Sequence, residues 1–315
     1  MVQITQVHDA DFDWAAETGP AADVRRVARA ATAHEGTSTL NEQAVLQLKN
    51  RGLRDAELWL ATPDGPDDGD GPACGFAFRH SGDVLDLVVH PDARRQGVGA
   101  ALAEVAVPEG RKVDLWSHAD HPGAARLAAK LGIPRERELV IMRRSLTDDL
   151  LPVVEPDGVV IRGFHDGDEH DVLAVNASAF AHHPEQGHMT LEDFRERMSE
   201  SWFDADGLLL AVPADPKADL PPLLGFHWTK VHLDETPAYG EVYVVAVNPK
   251  AAGRGLGTVL TLAGLHHLKG RGLDSVVLYV DGDNAPAVAV YTNQGFQVGR
   301  TEVQYRGTRS AQNSR

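Results

Sequence analysis

Two stretches of this chain place glycines where a backbone can close around an anion. One is Arg95, Gln96, Gly97, Val98, Gly99 and Ala100; the other is Ala252, Gly253, Arg254, Gly255, Leu256, Gly257 and Thr258. Each sits between an apolar β-branched run and an Ala/Leu-rich stretch of helical period. Glycines there let the backbone turn its N–H groups inward, beside the positive end of the following helix dipole, which makes a phosphate or pyrophosphate site. No Lys-Ser/Thr follows the glycines, so a Walker A loop is excluded, and the G-x-G-x-x-G spacing of a dinucleotide fingerprint is absent. The 15 histidines include no HExxH. His118-x-x-His121, His182-His183 and His266-His267 lack partners at ligand spacing, so surface or capping roles are expected and no metal. There is no G-x-S-x-G elbow, and Cys74, beside Gly75, reads as a small buried residue.

The elements that position the two turns are written twice. DVLDLVVHPDARRQGVGAALAEVA from Asp83 and EVYVVAVNPKAAGRGLGTVLTLAG from Glu241 align without a gap at an offset of 158 residues, a period that is a domain and not a solenoid repeat. Each copy predicts a strand (84–89; 242–247), X-Pro, the glycine turn and a helix. A second strand (113–116; 275–280), a short helix ending near Gly132 or Gly295 and a last strand follow. Upstream lie helical segments (19–33 and 41–50; 166–180 and 190–200) and antiparallel pairs (57–61 with 73–79; 207–212 with 223–232). The prolines and acids of 145–158 read as a linker, which sets domains of 1–150 and 151–315. The polar tail 307–315 is expected to fray.

Composition agrees with two packed cores: 315 residues, 43% hydrophobic. The formal charge of −16 disfavours nucleic acid and anionic membranes as partners. A phosphate can still be held by local geometry, because distant carboxylates are screened beyond about 8 Å. A lone cysteine, no apolar run near the roughly 18 residues of a span and no signal-like N-terminus predict a cytoplasmic protein, expected to be a monomer.

The pattern R/Q-x-x-G-x-G/A after a strand, with a downstream Asn and a helical Tyr, resembles the GNAT acetyltransferases in both halves. HPEQG (183–187), GFHWTKVH (225–232), GEVYVVAVNP (240–249) and LYVDGDNAPAVAVYTNQGF (278–296) look like the mycothiol synthase family of tandem GNAT enzymes. Those enzymes acetylate the cysteinyl amine of cysteinyl-glucosaminyl-inositol in the last step of mycothiol synthesis. The resemblance implies an α+β, mixed α/β architecture of two tandem GNAT folds, each a mixed, mostly antiparallel sheet flanked by helices. It implies acetyl-CoA as cosubstrate and no metal. Coenzyme contacts fall on the glycine turns, on Val245, Ala246 and Val247, on Asn284, Ala285, Pro286, Ala287, Val288 and Ala289, and on Leu87, Val88 and Val89 of the first copy. An amide near Val245 would polarise the thioester carbonyl. Ala252 departs from the Gln or Arg that usually opens the turn, at little cost where the contacts are backbone amides.

Amine acetylation needs a base for the amine and an acid for the departing thiolate. Glu241 starts the strand before the second turn and can take the amine's proton directly or through water; its counterpart is Asp83. Tyr291, after the N-cap candidate Asn284, resembles the family's general acid, and its counterpart is Ala128, which has no proton to give. Catalysis is therefore expected in the second half and, at most, coenzyme binding in the first. The resemblance places substrate contacts at Glu185, Lys230, Glu241 and Tyr279, with Glu42 of the first half reaching over. An α-amino group costs only about 1 kcal/mol to deprotonate at pH 7 and a lysine roughly 4.6 kcal/mol, so a carboxylate suffices for the former. Two other readings stay open: transfer to another small amine, such as an aminoglycoside or polyamine, and an acyl-CoA-binding sensor without turnover.

Overall fold

The structure, a computed structural model, describes residues 2–64, 71–181, 187–216, 219–233 and 235–310. In chain order the elements are strand β1 (Val2–Val7), helices α1 (Pro20–Glu35) and α2 (Glu42–Leu46), strands β2 (Glu57–Pro63), β3 (Gly75–His80) and β4 (Val84–Val89), helix α3 (Val98–Ala106), strand β5 (Lys112–Ser117), helix α4 (Pro122–Leu131), strands β6 (Arg135–Ser145) and β7 (Val159–Arg162), helices α5 (Glu169–Ala179) and α6 (Leu191–Met198), strands β8 (Leu208–Pro213), β9 (Gly225–His232) and β10 (Tyr239–Val247), helix α7 (Leu256–Gly270), strand β11 (Ser275–Asp281), helix α8 (Ala285–Asn293) and strand β12 (Gln297–Thr308). Local chemistry explains many of the boundaries. Helix α1 begins with Pro20 in its first turn and stops at Gly36, whose φ of 68° only a residue without Cβ adopts freely. Helix α6 opens on a capping box between Thr190 and Asp193.

The chain forms two compact units, but not by one cut near residue 150. Residues up to Leu139 group with those from Thr301 onward, and Val140–Arg300 form the other unit. The reason is strand pairing. The end of β12 runs antiparallel to β5, Val303 opposite Ser117 through Thr308 opposite Lys112, and sends Val303 and Tyr305 into the first unit's core. Met142, near the end of β6, and Leu146, just beyond the strand, pack instead with Leu265 and Phe296 of the second unit. The expected fraying of 307–315 is overturned for its first residues. Gly307 and Thr308 are strand, and Arg309 is 4% exposed, its guanidinium bonded to Val107 O at 2.6 Å and to the Glu104 carboxylate at 2.7 and 2.8 Å.

In the first unit β1, β2, β3 and β4 pair antiparallel in that order, and β4 pairs parallel with β5. The period-2 alternation covers both faces. Leu58, Leu60, Phe76, Phe78 and Val88 pack under α1 and α2, while Trp59, Ala61, Ala77 and Leu85 pack with α3 and α4. Cys74 is buried and free as expected, and burial pushes its thiol up.

The second unit repeats this plan with β7, β8, β9 and β10 antiparallel and β10 parallel to β11, and β6 beside β11. It departs in one place: the β9–β10 register slips between Val242 and Val244, leaving Tyr243 as an extra residue. A bulge of one residue switches the faces of the strand. Val242 therefore packs with α7, whereas Val244 and Ala246 pack with α5 and α6.

His227 departs from the surface or capping role expected of histidines. Its ring is wholly buried and lies where a Cβ on Gly264 would fall, 2.0 Å from Cε1, so that glycine lets α7 close on β9. Nδ1 donates to Leu260 O at 2.8 Å. Desolvation lowers the pKa from 6.5 to about 4, against the opposing effect of that hydrogen bond. The folded state then binds fewer protons than the unfolded chain between these values, so this group's share of stability is complete above pH 6.5 and is lost as pH falls toward 4. Between pH 7 and pH 5 the loss is about 2 kcal/mol. An NMR titration should find the His227 imidazole neutral down to about pH 4; a midpoint near the ordinary 6.5 would contradict it.

Candidate active site

Both glycine turns adopt the geometry an anion site requires. Gly97 (φ 87°) and Gly255 (φ 72°) cap α3 and α7 in the left-handed region with no side-chain cap. The first N–H groups of each helix, on Val98, Gly99 and Ala100 and on Leu256, Gly257 and Thr258, therefore have no intrahelical acceptor. Two residues earlier the chain is left-handed again, at Gly253 (φ 81°) and at its counterpart Arg95 (φ 65°). Arginine carries a steric cost there of roughly 1–2 kcal/mol that glycine avoids. Arg254 is tied back to Asp157 O at 3.0 Å.

Each turn opens onto a fork between the two parallel strands. In the first unit β4 and β5 pair only at Val84 with Asp114 and Leu85 with Leu115, although β3 follows β4 to Val89. Leu87, Val88 and Val89 thus present the edge of β4 toward a gap. A cavity of about 530 Å³ occupies that gap, lined by those three residues and by Arg95, Gly97, Val98, Gly99 and Ala100. Gln96 lines a smaller neighbouring cavity instead. In the second unit β10 and β11 separate after Val242 and Leu278, while β9 stays with β10 through Val247. Val245, Ala246 and Val247 offer the equivalent edge. Asn284 caps α8 as expected, its side chain accepting from Ala287 N at 3.2 Å, and Ala287, Val288 and Tyr291 pack on the core beside α7.

The two carboxylates at the strand starts differ more than by a methylene. Asp83 is about as exposed as a surface residue, with 42% of its side chain accessible and Arg111 at 3.6 Å. Glu241 is 7% exposed. His232 Nε2 donates to its Oε2 at 2.6 Å, and the imidazole is stacked on Tyr239, 4.4 Å between centroids and 19° between planes. Glu241 is thus a held, desolvated carboxylate and not a solvated strand end. Tyr291 is half-buried, edge-on to Phe296 at 5.8 Å, and burial pushes its phenol above the usual 10. Its hydroxyl has no hydrogen-bond partner among the described residues. At the matching place in the first unit Ala128 is buried in the core.

Register brings three of the expected acceptor contacts to one sheet face. Glu241 lies opposite Lys230 on β9 and opposite Val277 on β11, two residues before Tyr279, which is exposed. The Lys230 ammonium sits over Trp202 (4.8 Å) and Tyr243 (5.2 Å), and Arg197 Nε donates to Tyr243 Oη at 2.8 Å. Glu42 is the first residue of α2 in the first unit, and Glu185 lies outside the described residues. The sequence alone does not single out His232, Trp202 or Arg197. His232 is the most legible of the three, because GFHWTKVH reads as a strand antiparallel to the next and a histidine at its end must face that strand's first residues.

Among the histidine pairs, His121 caps α4 by accepting from Gly123 N at 3.0 Å, His118 faces Glu302 at 3.1 Å and His266 bonds Leu151 O at 2.8 Å; His182 and His183 are outside the described residues. No helix among the described residues is long and apolar enough to cross a membrane.

Comparison with known proteins shows the family and the fold. The profile of the Acetyltransferase (GNAT) family matches residues 40–133 and 176–296. A protein of Nocardioides sp. (strain JS614) named mycothiol acetyltransferase is 48% identical over 299 residues, 90% of this chain and 97% of that protein. One of the same name from Nocardia farcinica is 45% identical over 301 residues, 91% of this chain and 94% of its own length. Among solved structures, a GCN5-related N-acetyltransferase from Sphaerobacter thermophilus superposes with a TM-score of 0.67 at 21% identity, covering 98% of this chain and 96% of that one. A tandem GNAT protein from the clavulanic acid biosynthesis pathway gives 0.66 at 19%, covering 99% and 100%. At those identities the two structures speak to the fold.

Proposed function

The chain belongs to the GNAT acetyltransferases, in the tandem branch of the mycothiol acetyltransferases, and we propose that its second unit acetylates the cysteinyl amine of cysteinyl-glucosaminyl-inositol by direct attack on acetyl-CoA in a ternary complex. The observation that supports placing the reaction there is the contrast between a buried Glu241 held by His232 and an exposed Asp83 beside Arg111. Ala128 in place of Tyr291 points the same way.

The glycine turn at Gly253 to Thr258 holds the pyrophosphate of the cosubstrate by backbone amides, and the free edge of β10 from Val245 to Val247 aligns its pantetheine arm. The Val245 N–H polarises the thioester carbonyl. Glu241 takes the proton of the attacking amine. His232 is a positioning residue: with one carboxylate oxygen tied at 2.6 Å, the other is left to face the amine. Tyr291, protonated at neutral pH, donates its phenolic proton to the leaving sulfur. Lys230 and Tyr279 contact the hydroxyl-rich acceptor on the same sheet face. The first unit, with a formed cavity but no acid, binds coenzyme without transfer.

The deciding experiment is mass spectrometry of the product after incubating purified protein with acetyl-CoA and cysteinyl-glucosaminyl-inositol. The N-acetylated product is expected. Transfer only to an aminoglycoside or polyamine would change the acceptor, and no transfer to any amine would leave a binding protein. His232→Phe should cut kcat about tenfold with KM for acetyl-CoA unchanged, because the carboxylate loses the donor that fixes its orientation. His232→Gln, which keeps an N–H, should restore much of the rate. The other titratable or charged groups around the pair are Tyr239 and Lys230 on its own strands, Glu235 in the turn, Arg143 on β6 and Arg300 on β12. They are unchanged in both variants, so a wild-type kcat in His232→Phe, or a His232→Gln protein no faster than His232→Phe, would remove His232 from the mechanism.

A further inference from the structure

We propose that the cavity of the first unit is selective for coenzyme A thioesters of short, uncharged acyl groups, and that Asp86 rejects those whose acyl chain ends in a carboxylate. This rests on the reading that the first unit binds coenzyme. Asp86 is the first residue of β4 past the point where β5 leaves it. It is 4% exposed yet lines the cavity of about 530 Å³. One oxygen, Oδ2, accepts from His80 Nε2 at 2.9 Å; Oδ1 has no hydrogen-bond partner among the described residues. His80 is itself fixed, 2% exposed, stacked on Phe78 at 4.9 Å and 3.1 Å from Ser81 Oγ through Nδ1. A buried acid with one oxygen turned to a cavity, and no freedom to swing away, must be answered by the cavity's ligand.

The position of Asp86 says which part of the ligand meets it. A pantetheine arm running from the turn at Gly97 along Leu87–Val89 delivers its acyl end to the fork, beside Asp86. Two of the cavity's cations already have acidic partners. Arg94 is committed to Glu35 and to Val89 O, and His118 faces a second buried acid, Glu302, at 3.1 Å. Arg95 on the glycine turn and Arg126 and Lys130 on α4 are exposed, where solvent screens their charge. A second carboxylate placed about 5 Å from Asp86 at an effective dielectric constant near 20 binds on the order of 100-fold more weakly. In the second unit the aligned residue is Val244, buried in apolar core, and the acid nearest the fork is Glu241, three residues earlier and bonded to His232.

Native mass spectrometry of the full-length protein counts ligands per chain directly. Acetyl-CoA and propionyl-CoA should bind twice, and malonyl-CoA and succinyl-CoA should not enter the first unit. Gly97→Glu should remove one acetyl-CoA per chain and leave the malonyl-CoA count unchanged. Asp86→Asn, which keeps the shape and a partner for His80, should admit one more malonyl-CoA than the wild type, with an unchanged melting temperature. Equal binding of malonyl-CoA and acetyl-CoA by the first unit, or an Asp86→Asn protein that takes no more malonyl-CoA than the wild type, would overturn the proposal while leaving coenzyme binding intact. A wild-type chain that takes one acetyl-CoA, insensitive to Gly97→Glu, would overturn the underlying reading and the proposal with it.

Discussion

Glu241→Gln should lower kcat/KM for the acceptor amine about 10²- to 10⁴-fold at pH 7, the range a positioned general base supplies. Glutamine has nearly the same volume and can still accept from His232, so the buried site between β9 and β10 stays filled and acetyl-CoA affinity should not change. The deficit should also shrink as pH rises. An α-amino group with a pKa of about 7.7–8.0 is mostly neutral by pH 9, and a base then has less to remove. Steady-state kinetics at pH 7 and pH 9, beside calorimetric titration of acetyl-CoA, check each part. A variant with wild-type kcat at pH 7 would take Glu241 out of the chemistry, whatever His232 does.

Tyr291→Phe should lower kcat on the order of 10²-fold with KM for acetyl-CoA within about twofold. The ring stays against Phe296 and only an unpartnered hydroxyl is lost, so little stability should go with it. Because burial raises this phenol above its ordinary 10, the residue stays protonated through the working range. Its loss should therefore depress the profile evenly and remove no limb below pH 10. If coenzyme affinity falls in step with kcat, the tyrosine serves packing and not proton transfer.

The glycine turns were legible in the sequence because the backbone geometry they need is written in residue type: Gly97, Gly253 and Gly255 all sit at positive φ. Strand, turn and helix around them follow from local period alone, and the contrast of Tyr291 with Ala128 follows from counting back from matched glycines. The features that local sequence does not reveal depend on register. Whether Glu241 lies in solvent or under a histidine is set by which residues β9 and β10 place opposite each other. The bulge at Tyr243 then reverses the faces of β10, and no alternation pattern announces it. Asp86 looks like one polar residue in an apolar strand until His80 and the cavity are in place. The polarity of the tail from Gly307 predicts fraying, although Val303 and Tyr305 just before it already alternate as a strand does.

The pairing of β12 with β5 gives the chain an awkward order of birth. As the polypeptide leaves the ribosome, the half that emerges first cannot finish its sheet until residues 301–308 have been made, and its open β5 edge meanwhile needs shielding from other nascent chains. A premature stop at codon 301 would therefore spare the later half's own fold and cripple the earlier one.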